Sequence, residues 1–146
     1  IVFLKDITDD IRKFDKSNYD IMIQNDVPNF DDSKKDNLCT GFIFFKPNQK
    51  SINFIETTIK HMKDNWEKRG GGKLADQNSF NIVLKNEDIK LAILDLKDYP
   101  NGSRYFNNIN SIYKNYTPKI VHNNYIVGTK NKIERFKKNN LWFIKT

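Results

Sequence analysis

Cysteine is nearly missing from this chain of 146 residues, with Cys39 the single example. That excludes an internal disulfide and any cysteine-based zinc cluster, and it is compatible with a reducing compartment. Long apolar runs are also missing: no stretch approaches the roughly 20 residues that a helix needs to span a bilayer, and no leader is visible. No initiator Met precedes Ile1-Val2-Phe3-Leu4, so a fragment is expected, and localisation stays open because any signal or anchor would lie upstream of Ile1. Acid is in deficit, with 18 acidic residues against 25 basic ones and a net charge of +7. The cations are dispersed among acidic neighbours rather than massed, so nucleic acid has no motif in its favour. The triple glycine Gly70-Gly71-Gly72 lacks the Gly-Lys-Ser or Gly-Lys-Thr of a P-loop.

What is present reads as alternating strands and helices, hence an α/β domain. Ile1 to Leu4 suits a strand buried on both faces. Tyr19 to Asp26 alternates Ile21 and Ile23 and is expected to deliver Gln24 and Asp26 to an edge; a charged loop from Pro28 to Asn37 follows. Leu38 to Lys46 reads as a strand with Gly41 near its entry, where a ligand or another backbone passes close. Ser51 is expected to cap a helix whose core stripe is Ile52, Ile55, Ile59, Met62 and Trp66, with His61 off the stripe and solvated. Asp76 is placed to start a helix carrying Phe80, Val83 and Leu84. Leu91 to Leu96 reads as a strand, Tyr99 to Gly102 as a turn, and Ile120-Val121 as a strand ending at His122. A last helix is expected to open near Thr129, with Ile133 and Phe136 on one face.

The stretch from His122 to Trp142 holds the densest chemistry. An imidazole, the amides Asn123 and Asn124, Gly128, and the cations Lys130, Lys132 and Arg135 crowd the approach to a helix N-terminus, a setting that favours anions. Asp76-Gln77 forms a second centre, a carboxylate and an amide at a helix start that suit sugar hydroxyls. Asp26 reads as a turn former ahead of Val27-Pro28, and Cys39 as a buried, inert thiol.

His122-x-Asn124, Gly128, Lys132 and the closing Leu141-Trp142 resemble the C-terminal signature of the nucleotide-diphospho-sugar transferase family, glycosyltransferases of GT-A fold. Three further stretches resemble it in order: Thr40-Gly41-Phe42, Asp76-Gln77 with Asn81, and Tyr99-Pro100-Asn101-Gly102 followed by Tyr105-Phe106. The resemblance implies a GT-A-like mixed sheet with flanking helices, with residues 1–146 forming the C-terminal part of one transferase domain and the N-terminal nucleotide-binding half absent. It implies an Asp-x-Asp metal motif upstream of Ile1 and a cofactor of Mn²⁺ or Mg²⁺. Asp76 and Gln77 would act beside the reacting sugar, and His122 would hold the metal. Gly128 and Lys132 would meet the donor diphosphate, while Asp26, Thr40, Gly41, Asn81 and Asn124 would contact sugar or acceptor. Partners would be a nucleoside-diphosphate sugar and a glycan or protein acceptor, with nucleic acid not expected and no membrane segment in the chain.

The function so implied is metal-dependent transfer of a sugar to an acceptor hydroxyl, with retention of anomeric configuration inferred from resemblance. Two alternatives stay open: a basic module that binds polyanions or RNA, and a degenerate, non-catalytic transferase fold. The sugar, base, acceptor and linkage are not legible in these residues.

Overall fold

The computed structural model describes residues 1–27, 37–68 and 76–144, with the side chains of 66–68 excepted. The expectations for Trp66, for Gly70 to Gly72 and for most of the Pro28–Asn37 loop fall outside these described residues. In chain order the elements are β1 (Val2–Phe3), α1 (Thr8–Lys16), β2 (Ile21–Asn25), β3 (Leu38–Phe45), α2 (Gln49–Lys68), α3 (Asp76–Leu84), β4 (Leu91–Ile93), α4 (Gly102–Asn107), β5 (Ile120–Val121) and α5 (Thr129–Lys138). Strand β2 is central, antiparallel to β3 on one side and parallel to β4 on the other; β1 and β5 form a separate antiparallel pair. This is the expected mixed α/β architecture of GT-A type, with helices on both faces of the larger sheet.

Alternation along β2 sorts two cores. Met22 faces a cluster with Ile7, Phe14, Phe42, Leu94 and Tyr99, on the side of α1. Ile21 and Ile23 face Leu38, Phe54, Phe80 and Val83, on the side of α2 and α3. Helix α1 begins where Asp6 accepts hydrogen bonds from the Thr8 backbone (2.8 Å) and hydroxyl (2.6 Å). Its acids Asp9 and Asp10 lie in the first turn and Lys13 and Lys16 in the last, the arrangement the helix dipole favours.

Several expectations are corrected. β1 is an outlying ribbon rather than a strand buried on both faces: Phe3 is 57% exposed, because only β5 pairs with it. β2 is buried along its whole length, so Gln24 and Asp26 are enclosed rather than delivered to an exposed edge. On α2 the core side chains are Ser51 and Phe54, whereas Ile52 and Ile59 are each 45% exposed. Phe54 meets Phe80 edge-on with ring centroids 4.9 Å apart, and burying a side chain of that size is worth about 3 kcal/mol. That contact lies on the face of α2 that turns inward. The cap is Asn48, whose Oδ1 accepts from the Ser51 amide at 2.9 Å, not Ser51 itself. His61 is half-buried, with Nε2 3.1 Å from the Asn65 amide nitrogen. β4 stops at Ile93, and Gly102, expected in a turn, opens α4 after the Asn101 cap.

Candidate functional site

The register between β2 and β3 breaks at one step. Ile23 pairs with Ile43 but Gln24 pairs with Cys39, so Thr40, Gly41 and Phe42 bulge out of the ladder. Phe42 turns into the core and stacks on Tyr99 at 5.7 Å between centroids. The other two point toward the chain's two chemical centres. Thr40 Oγ1 donates to Asp76 Oδ2 at 3.2 Å. A Cβ built on Gly41 would stand 2.4 Å from His122 Cε1 and 2.9 Å from its Nε2, so only glycine lets this backbone lie against the imidazole. The tail histidine and the mid-chain acid therefore flank one bulge.

Asp26 makes the second link. This carboxylate, 6% exposed at the end of β2, accepts from Gln77 Nε2 at 2.9 Å on Oδ2 and from Asn124 Nδ2 at 2.8 Å on Oδ1. Tyr125 donates its hydroxyl to the Asp26 carbonyl at 2.6 Å. To do so Tyr125 adopts φ 56°, a left-handed conformation uncommon for a bulky side chain. Asn124 Oδ1 in turn accepts from the Gly102 amide at 2.6 Å, and a Cβ on Gly102 would collide with the Asn124 carbonyl at 2.2 Å.

His122 follows β5 directly. Its Nδ1 lies 2.9 Å from Gln24 Oε1 and 3.5 Å from Cys39 Sγ. Burial, with the charges of the Ile1 amino group and then Lys132 adding to it, pushes its pKa down to about 4, so the ring is neutral near pH 7. The Cys39 thiol is pushed up to about 11, first by burial and then by the charges of Asp26 and Asp76. As expected it is buried, and it is protonated at neutral pH.

Asp76 is exposed at the start of α3, with Oδ1 accepting from the Gln77 amide at 2.8 Å. With Thr40 it forms the polar rim of an otherwise apolar cavity of about 260 Å³, lined by Ile43, Phe45, Phe54 and Phe80 among others. Asn81 uses its amide on the chain itself: Oδ1 accepts from the Leu38 amide and Nδ2 donates to the Leu38 carbonyl, both at 2.9 Å. It anchors the start of β3, and with it the bulge.

Gly128, at φ 87°, precedes α5, and the exposed Lys132 lies one turn into that helix. Between them and His122, Asn123 is buried and fixes the helix: its Nδ2 donates to the Lys132 carbonyl at 2.8 Å, and its Oδ1 accepts from Arg135 Nε at 2.6 Å. Sequence reasoning gave Gln24 and Tyr125 no part in the site and placed Asn123 and Arg135 only in an anion-favouring stretch, without a specific role. Their roles depend on long-range partners that no local pattern announces.

Among the described residues, no three His, Cys, Asp or Glu side chains gather as a metal-binding group, and no helix is long and apolar enough to cross a membrane. The fit to a divalent cation is therefore that of a single donor, His122 Nε2. Gln24 occupies the other ring nitrogen, and no hydrogen bond to Nε2 occurs among the described residues.

A family model for nucleotide-diphospho-sugar transferases matches residues 1–136. Curated relatives include a UDP-galactose:fucoside alpha-3-galactosyltransferase of Dictyostelium discoideum, 31% identical over 99% of this chain and 23% of that protein. Two from Arabidopsis thaliana are UDP-D-xylose:L-fucose alpha-1,3-D-xylosyltransferases. MGP4 is 30% identical over 73% of this chain and 30% of its own length; xylosyltransferase 1 is 26% identical over 94% of this chain and 38% of its own. The chain thus spans well under half the length of these relatives. No solved structure matches it.

Proposed function

The chain belongs to the nucleotide-diphospho-sugar transferase family, and from that premise we propose that it forms the acceptor-side and metal-completing part of a UDP-sugar glycosyltransferase active site. The proposed reaction moves a pentose or hexose from UDP to a hydroxyl of a fucose-containing acceptor, as the names of its relatives suggest. The observation that carries this reading is the convergence of His122 and Asp76 on the Thr40–Gly41 bulge.

Negative charge grows on the departing diphosphate as the anomeric bond breaks, so catalysis depends on groups already arranged to meet it. A Mn²⁺ or Mg²⁺ ion, held by His122 Nε2 together with carboxylates of an Asp-x-Asp motif outside these residues, would supply Lewis-acid stabilisation of that charge. The chain's own contribution is positional and electrostatic. Burial keeps His122 neutral and available as a nitrogen donor. Lys132 brings a positive charge to the same side, and Gly128, without a side chain, leaves room for a phosphate to approach the start of α5.

Asp76 and Thr40 would accept and donate hydrogen bonds to sugar hydroxyls at the cavity rim, and Gln77, held by Asp26, would lie beside the reacting carbon. Asp26 and Asn124 hold the two sides of the site together, and Gly41 lets them close up. With a donor whose sugar is α-linked to its diphosphate, an α product means retention, which is the stereochemical part of the proposal. The test is direct. The chain, together with the preceding residues that are proposed to carry the Asp-x-Asp motif, is incubated with Mn²⁺, a fucoside and either UDP-xylose or UDP-galactose, and products are weighed by mass spectrometry. An added pentose or hexose that vanishes with chelator is the expected result; no product with any UDP-sugar would refute the reading.

A further inference from the structure

We propose that Gln24 is the positioning residue that fixes the orientation and tautomer of His122, so that Nδ1 carries the proton and Nε2 presents its lone pair. This deepens the reading of His122 as a ligand at the donor diphosphate and rests on it for its functional meaning.

The geometry favours one assignment. The Gln24 side chain is fully buried, and one terminal atom lies 2.9 Å from the Tyr99 carbonyl oxygen. A carbonyl can only accept, so that atom is the amide nitrogen, and the oxygen is the atom facing His122 Nδ1 at 2.9 Å. An amide oxygen cannot donate. In the neutral ring Nδ1 must therefore hold the hydrogen, since the other tautomer would set two lone pairs against each other at bonding distance. Cys39 Sγ, 3.5 Å from the same nitrogen, is a thiol within hydrogen-bonding reach, but its weak S–H donor loses to the shorter N–H···O bond at 2.9 Å, and the sulfur accepts from Nδ1–H instead.

The backbone explains why the contact exists. Gln24 sits at the step where β3 leaves the ladder, and it points to the face of β2 opposite Ile23. The Tyr99 carbonyl lies in the connection between β4 and α4, and His122 directly follows β5. One side chain on the central strand thus ties that connection to the end of β5. Histidine ligands of metals commonly donate their second nitrogen to such an acceptor, and losing the acceptor typically weakens the metal site about 10- to 100-fold.

The test is the ¹⁵N spectrum of the His122 ring in the labelled protein near pH 7, without metal or sugar nucleotide. Wild type is expected to show a protonated Nδ1 and a bare Nε2. Gln24→Leu should shift the tautomer ratio toward Nε2–H by about tenfold, while Gln24→Glu, which keeps an oxygen acceptor, should retain Nδ1–H. A wild-type ring protonated at Nε2 overturns the proposal, and that spectrum decides the matter even if the variants fail to fold. A folded Gln24→Leu protein that keeps Nδ1–H also overturns it. A pinned Nδ1–H ring in a protein that transfers no sugar would leave this inference standing and remove the transferase reading; an Nε2–H ring in an active enzyme would do the reverse.

Discussion

Gly41 and His122 are separated by 81 positions in the sequence yet lie so close that a single methyl group on Gly41 would overlap the imidazole at 2.4 Å from Cε1. The contact gives the bulge in β3 a purpose: it removes Thr40 and Gly41 from the ladder and places one against Asp76 and the other against His122. Gly41→Ala should leave the fold intact but displace the ring. A misplacement of that size commonly costs about 100-fold in rate, so kcat should fall on that order while circular dichroism stays unchanged.

Asp26 holds Gln77 and Asn124 from opposite sides in a buried setting. Asp26→Ala removes the oxygen acceptor of Asn124 and the shorter of two acceptors of Gln77, whose Nε2 also donates to Asn37 Oδ1 at 3.2 Å, and should lower unfolding free energy by roughly 2 kcal/mol in a urea titration. Asn81→Ala should cost a comparable amount, about 2 kcal/mol, because it takes a partner from both the amide and the carbonyl of the buried Leu38. If Asn81 matters only as an anchor, its loss will reduce stability more than KM.

Acid sensitivity should trace to Asp10. Burial works to raise its pKa, but hydrogen bonds from Lys119 at 2.6 Å and from the Tyr99 hydroxyl overcome this and hold it below the ordinary 3.8. A carboxylate whose folded pKa is depressed contributes stability above its unfolded value and loses it as pH falls through the lower, folded one. Lys119→Met should therefore destabilise the protein near pH 7, by about 2 kcal/mol, and start the loss of Tm at higher pH than in wild type. Equal acid profiles for the two proteins would contradict the assignment.

Cys39 should resist alkylation. With its pKa pushed up to about 11 and its side chain buried, iodoacetamide at pH 8 should label the native protein far more slowly than the urea-unfolded one, as read by intact mass.

Some of this was legible from the chain and some was not. Gly41 near a strand entry signals close approach, and the structure supplies the neighbour, His122. The starts of α3 at Asp76 and of α5 at Thr129 were both visible in the local residue pattern. The inward face of α2 was not, since Ile52, Ile55 and Ile59 make as good a stripe as the one that is buried; Phe54 lies on the inward face in contact with Phe80, which lies beyond any helical window. The central position of β2 was also hidden, because burial on both faces depends on which strands pair beside it. Gln24 looked like an edge residue for the same reason.

The most direct measurement of whether His122 and Asp76 serve one site is the transfer rate from a UDP-sugar to a fucoside, compared among wild type, His122→Ala and Asp76→Ala under saturating Mn²⁺. The account predicts folded variants that each lose on the order of 100-fold or more in kcat, with a double variant little worse than either. Turnover by His122→Ala equal to that of wild type would contradict it.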